Sequence, residues 1–258
     1  MHSLTGLLPI GVFLIAHLIT NSTLVWGAFN SRVSAYASDP EGRGIASFQE
    51  EVSFINGMPF LLLIEITLWV SIAFHSILGV YYATRGKQNL EHYRYGGNLR
   101  YTLQRVTGYV GILFIFYHVA TLRWGWSWLV PGGTQWSHHY AASTLAACVQ
   151  GGWDGITTAG VAVSVFYFVG VSMLVFHFAN GLWTSAITWG LTVSAPAQKR
   201  WGYVCAVVGI GLMGMAWASI YAAVTIDPRD AVLVEQRMPG AEHADPPIGA
   251  ARPHASKD

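Results

Sequence analysis

Residues 159–186 read AGVAVSVFYFVGVSMLVFHFANGLWTSA, 28 positions without an Asp, Glu, Lys or Arg. As a helix rising about 1.5 Å per residue, this run is longer than the roughly 30 Å hydrocarbon core of a bilayer. It therefore predicts a membrane span. One histidine, His177, lies deep inside it. An ionisable group at membrane depth is costly and by default marks function. The rest of the chain then decides whether His177 stands alone.

The pattern recurs. Runs at about 3–26, 58–83, 101–124 and 201–225 also meet the requirement of roughly 20 apolar residues. Between the runs stand Ser38-Asp39-Pro40-Glu41-Gly42, Arg85-Gly86-Lys87-Gln88-Asn89, Pro131-Gly132-Gly133 and Ala195-Pro196, all turn-forming punctuation. Charged residues make up 10% of the chain, against about 25% in soluble domains. The net charge of +1 provides no basic field for nucleic acid. The expected fold is all-α: an integral membrane bundle of five transmembrane helices over residues 1–226. Residues 227–258, rich in Pro, Ala and charge, are expected to form a disordered extramembrane tail. The first run lacks the Lys/Arg-rich flank of a signal peptide and is read as retained.

Orientation follows from the positive residues. The second and fourth connections, with adjoining span ends, hold Arg85, Lys87, Arg94, Arg100, Arg105, Lys199 and Arg200; the first and third hold only Arg32, Arg43 and Arg123. The positive-inside rule puts the N-terminus in the cytoplasm and, after an odd number of spans, the C-terminus outside. Trp124, Trp126, Trp128, Trp136 and Trp153 crowd the third connection. They read first as an interfacial belt, with a segment capping a cofactor as the alternative.

His17, His75, His118 and His177 fall one in each of the first four spans. At the helical rise, His17 and His118 lie about 14 and 9 Å from the outer ends of their spans, and His75 and His177 each about 12 Å from the cytoplasmic end. The alternating directions sort them into an outer pair, His17 with His118, and an inner pair, His75 with His177. Neutral structural histidines have no reason to pair by depth. Zinc or copper recruits further Cys, His or carboxylate ligands, and only Glu65 lies at such depths. Haem iron needs just two axial ligands, and a porphyrin is apolar enough to fill a bundle. The expectation is two haems b, each held through two Nε2 atoms. Each Nδ1–H is expected to turn to the carbonyl four residues back.

Gly79 and Gly181 follow the inner histidines at i+4, where a side chain would foul a flat ring. Packing of helices through small residues is the bland alternative. Arg105, backed by Arg100 and Arg85, is the candidate partner for the inner haem's propionates, and Arg123 for the outer haem's; snorkelling anchors are the alternative. Glu65 is the only carboxylate inside a span, about 15 Å outward of His75. It reads as a proton partner for a quinol, a propionate contact or a satisfied structural glutamate. His2, His92, His138, His139, His243 and His254 lie at termini or in connections and read as solvated, the adjacent His138-His139 being able to bind a stray metal. Cys148, in a connection, and Cys205, opening a span, are expected to stay unbridged. No Cys-x-x-Cys-His occurs, so haem is not attached covalently.

These residues lie within segments that resemble the single-chain dihaem cytochrome b membrane anchors of succinate dehydrogenases and fumarate reductases. The segments are His2-Ser3-Leu4-Thr5-Gly6 with Pro9-Ile10-Gly11, His17-Leu18 and Asn21; Met58-Pro59-Phe60; and Phe74-His75 to Gly79-Val80-Tyr81. They continue with Leu103-Gln104-Arg105-Val106-Thr107-Gly108, Tyr117-His118-Val119, Phe176-His177-Phe178-Ala179-Asn180-Gly181-Leu182-Trp183 and Thr188-Trp189-Gly190. The resemblance covers about residues 2–225. It implies a bacterial cytoplasmic membrane protein docked to a flavoprotein and an iron–sulfur subunit. Such a protein passes electrons between succinate and a membrane quinone, menaquinone by family analogy. It further implies His75 and His177 for the proximal haem and His17 and His118 for the distal one. Some fumarate-reducing members have an acidic residue where this chain has Val175, and its third connection and tail are longer than expected.

The chain has neither a dinucleotide fingerprint nor a soluble domain for a flavin, so succinate chemistry would belong to a partner. A second reading is the dihaem subunit of another quinone-linked complex, of hydrogenase or formate dehydrogenase type. A third is a transporter relaying protons through its histidines. The quinone would bind beside the outer haem near Glu65 or towards the cytoplasmic side.

Overall fold

The computed structural model describes residues 1–86, 96–241 and 244–251. Among them there is no strand. The helices are α1 (His2–Leu7), α2 (Pro9–Trp26), α3 (Pro40–Asn56), α4 (Leu61–Arg85), α5 (Gly96–Leu122), α6 (Ala141–Gln150), α7 (Thr158–Thr188), α8 (Ala195–Thr225) and α9 (Pro228–Glu235). Five stretches are long and apolar enough to cross a membrane: His2–Phe29, Leu61–Arg85, Asn98–Leu122, Thr158–Thr188 and Ala195–Thr225. They match the five apolar runs, as they must where lipid offers the backbone no partners.

Two compact units share these helices. The first comprises Met1–Leu18, Phe60–Ile115 and Val169–Met215. Its helices approach closely at glycines. A Cβ on Gly111 would lie 2.6 Å from Leu174 Cδ2, and one on Gly209 3.0 Å from the Ala179 methyl. Gly11 would meet the Phe178 ring and Gly170 the Phe114 ring. Small residues let membrane helices gain dispersion contacts that a lipid tail would otherwise supply.

The second unit comprises Ile19–Pro59, Phe116–Phe168 and Ala216–Asp258. It departs from expectation. The first connection contains α3, and the chain beyond Asp227 is folded rather than a disordered tail as far as it is described. Both helices begin at an Asp-Pro step. The Asp39 carboxylate accepts from Gly42 N at 2.7 Å, and Asp227 accepts from Arg229 N at 2.8 Å. Each supplies an N-cap, with proline at the first helical position. Polar composition hid both helices, whose stability comes from packing. Ile45 and Phe48 of α3, Leu145 and Val149 of α6 and Ala231 of α9 share a core with Leu24 and Ile226. Met238 packs on Val33 and Ala46, and the Tyr140 hydroxyl donates to Ala244 O at 3.0 Å.

Every residue of α6 is buried, and its N-cap Tyr140 makes no side-chain cap bond. Other elements satisfy its first amides. Ala141 N donates to Gln49 Oε1 at 2.9 Å, and Ala142 N and Ser143 N donate to Glu235 Oε1 at 2.7 and 3.3 Å. The Ser143 hydroxyl donates to Glu235 Oε2. Gln150 at the other end of α6 donates to Ala223 O and Ile226 O at 3.0 and 2.7 Å, closing the C-terminus of α8. Cys148 thus lies in a buried helix within the third connection. Cys205 lies inside α8, and both thiols are free.

Candidate functional site

In the first unit α4 and α7 bring His75 and His177 together, their ring centres 6.1 Å apart and ring planes 83° apart. Each ring is anchored on its Nδ1 side. His75 Nδ1 lies 3.1 Å from His2 O. His177 Nδ1 lies 3.1 Å from Gln104 O and 3.2 Å from Thr107 Oγ1. The Thr107 hydroxyl already donates to Leu103 O at 2.7 Å, so it accepts from the imidazole. A nitrogen facing a carbonyl must carry the proton, which leaves the lone pair on Nε2. The anchoring carbonyls belong to α1 and α5, not to the residue four back on the histidine's own helix.

Around His177 the fastening is reciprocal. Gln104 Nε2 donates to His177 O at 3.1 Å, and Asn180 Nδ2 donates to Gln104 Oε1 at 2.8 Å. Around His75 it is α1 that closes in. The His2 ring stacks on His75 with centres 4.0 Å apart and planes 11° apart. A Cβ on Gly6 would lie 2.6 Å from His75 Cε1, and one on Gly108 3.2 Å from His177 Cε1. His2 is therefore half-buried against the candidate ligand, not simply solvated. The sequence did carry a signal: Gln104, Thr107 and Gly108 follow the i, i+3, i+4 spacing of one helix face.

This donor set fits haem. Two imidazoles on one iron, each about 2 Å away through Nε2, have ring centres about 6 Å apart. Among the described residues no three His, Cys, Asp or Glu cluster as a metal site.

Other candidate residues are positioned as follows. A Cβ on Gly79 would stand 3.4 Å from His2 Cε1, and one on Gly181 3.5 Å from Gln104 Nε2, both ordinary contact distances. Arg105 Nη2 donates to Tyr82 O at 3.4 Å while its guanidinium lies 4.4 Å over the Tyr101 ring. Arg85 and Arg100 lie over Tyr81 and Trp183 at 4.2 and 4.6 Å. Glu65 is half-buried on α4. His17 belongs to the first unit, stacked on Phe13 at 5.3 Å. His118 belongs to the second, edge-on to Tyr167 at 5.8 Å. His138 and His139 have ring centres 3.9 Å apart. Burial first, then His139 and Arg123, hold His138 below the ordinary imidazole range. His92, His243 and His254 lie outside the described residues.

No family model and no solved structure matches the chain. The succinate dehydrogenase cytochrome b558 subunit of Bacillus subtilis (strain 168) is 32% identical over 225 residues, covering 87% of this chain and 95% of that one. Kinship of that extent agrees with five apolar helices and a facing pair of histidines, and the chain belongs to the family of succinate dehydrogenase cytochrome b subunits.

Proposed function

We propose that this chain is the membrane anchor and electron-transfer subunit of a succinate:quinone oxidoreductase. It would carry electrons between an iron–sulfur subunit and a membrane quinone. The observation that carries the reading is the inner pair: His75 and His177, 6.1 Å between centres, each with Nδ1 turned to a main-chain carbonyl. Haem b, when bound, supplies a one-electron carrier. The chain's own residues orient the imidazoles and, through carbonyls at Nδ1, set the tautomer that leaves Nε2 free to bind. The proposal of a second, outer haem rests on depth within each span: His17 and His118, its proposed ligands, lie about 14 and 9 Å from the outer ends of their own helices by helical rise.

Gly79 and Gly181 are the proposed room for the macrocycle. Arg105 and Arg123 are proposed to meet propionates of the inner and outer haem, Arg105 giving up its Tyr82 carbonyl to do so. Glu65 is proposed as the proton partner of the quinone, with menaquinone the quinone by family resemblance. A flavoprotein and an iron–sulfur subunit are the proposed partners at the cytoplasmic face, with the N-terminus on that side and the C-terminus outside. Succinate chemistry belongs to those partners.

A reduced-minus-oxidised spectrum of the purified complex, with haem assayed per chain, tests the reading. Two haems b per chain are expected. His75→Ala and His177→Ala should each lose the same haem, and His17→Ala and His118→Ala the other. Two variants from different pairs losing one and the same haem would refute the pairing. Co-purification of a flavin-bearing subunit separates this complex from a hydrogenase or formate dehydrogenase.

A further inference from the structure

The two inner histidines are fastened by different means. His177 is held by α5, a long helix of the bundle, through a closed set of hydrogen bonds. His75 is held by α1, six residues at the start of the chain. Three features of α1 converge on that ring. His2 O faces His75 Nδ1 at 3.1 Å. The His2 imidazole lies flat on it at 4.0 Å, with Tyr82 edge-on to His2 at 5.9 Å. Gly6 has no side chain where a Cβ would press on Cε1 and Nδ1 at 2.6 and 2.9 Å. The same His2 carbonyl also accepts from the Thr5 hydroxyl at 2.9 Å. Two side-chain donors thus share one oxygen.

We propose that α1 is a strap that sets the electron-donor strength of His75, with His2 as a positioning residue acting through its main-chain oxygen. The inference rests on the reading of His75 as a haem ligand. A hydrogen bond from Nδ1–H to a carbonyl makes Nε2 more basic, and a more basic ligand favours the ferric state. Weakening that bond should raise the inner haem's potential; strengthening it should lower it. Because Thr5 competes for the oxygen, its removal should strengthen the bond that remains.

The test is a redox titration of the complex, followed optically for both haems and by electron paramagnetic resonance of the ferric forms. Gly6→Ala pushes α1 off the ring. It should shift the oxidised-to-reduced ratio of the inner haem about tenfold towards reduced, a rise of about 59 mV for a one-electron couple, with its ferric signal moved and the outer haem unchanged. Thr5→Val, which adds no crowding, should move the inner haem the opposite way. His2→Phe keeps both carbonyl and stack and should leave the ratio within about twofold. Unchanged potentials in both Gly6→Ala and Thr5→Val, or shifts of equal sign, overturn the strap. His75→Ala is the control. If it retains both haems, the ligand reading itself fails; if it loses one while the other two variants are silent, only the strap fails. Should Gly6→Ala not assemble, the opposite-signed shift in Thr5→Val decides alone.

Discussion

Gln104 meets His177 at both ends: its main-chain carbonyl accepts from the imidazole Nδ1–H while its side-chain amide donates to the His177 carbonyl and accepts from Asn180. Removing the amide strands the His177 carbonyl and the Asn180 amide in a partly buried place. Gln104→Ala is therefore expected to cost about 1–3 kcal/mol. The measurement is haem loss on heating, which should begin at lower temperature for the inner haem and be unaltered for the outer. Gly108→Val should act more directly, since even a Cβ there stands 3.2 Å from His177 Cε1. Its expected signature is an inner haem content well below one per chain. The histidines themselves were legible because a titratable side chain stands out in an apolar run. Their anchors were not, because each Nδ1 turns to a main-chain carbonyl, a group that every residue possesses.

Among the elements, α6 shows how a helix without its own cap is held. Glu235 of α9 satisfies its leading amides. Burial, opposed by the bonds from Ser143 and Ala142, pushes the Glu235 carboxyl up from 4.5 to about 7. Between those values the folded chain keeps a proton that the unfolded chain has released, so stability falls as pH climbs through that window. Thermal unfolding should occur at lower temperature near pH 8 than near pH 5, and Glu235→Gln, which keeps the shape without the titration, should flatten the difference. Gly44 is the second sensitive point of this unit: a Cβ there would strike the Leu24 carbonyl. Gly44→Ala is expected to destabilise by about 1–3 kcal/mol, read as a lower unfolding midpoint. The Asp39-Pro40 and Asp227-Pro228 steps that open α3 and α9 were visible as residues, yet read as turn and tail. A capping pair says where a helix can start, whereas packing decides whether so short a helix persists.

For the whole molecule, the excess of Lys and Arg in two of the connections predicts a C-terminus on the outer side. A C-terminal tag should be cleaved by protease added to right-side-out vesicles and protected in inverted ones. The number of apolar spans and their limits to within about six residues were legible in the sequence alone. A bilayer imposes one length and one polarity on whatever crosses it, and both are properties of a linear run. Tertiary structure alone decided which backbone oxygen faces each inner imidazole. It also decided that His2 stacks on His75 and that the chain beyond Asp227 folds back to close α6. Those contacts join residues many positions apart in the chain, and only the packed chain brings them within reach.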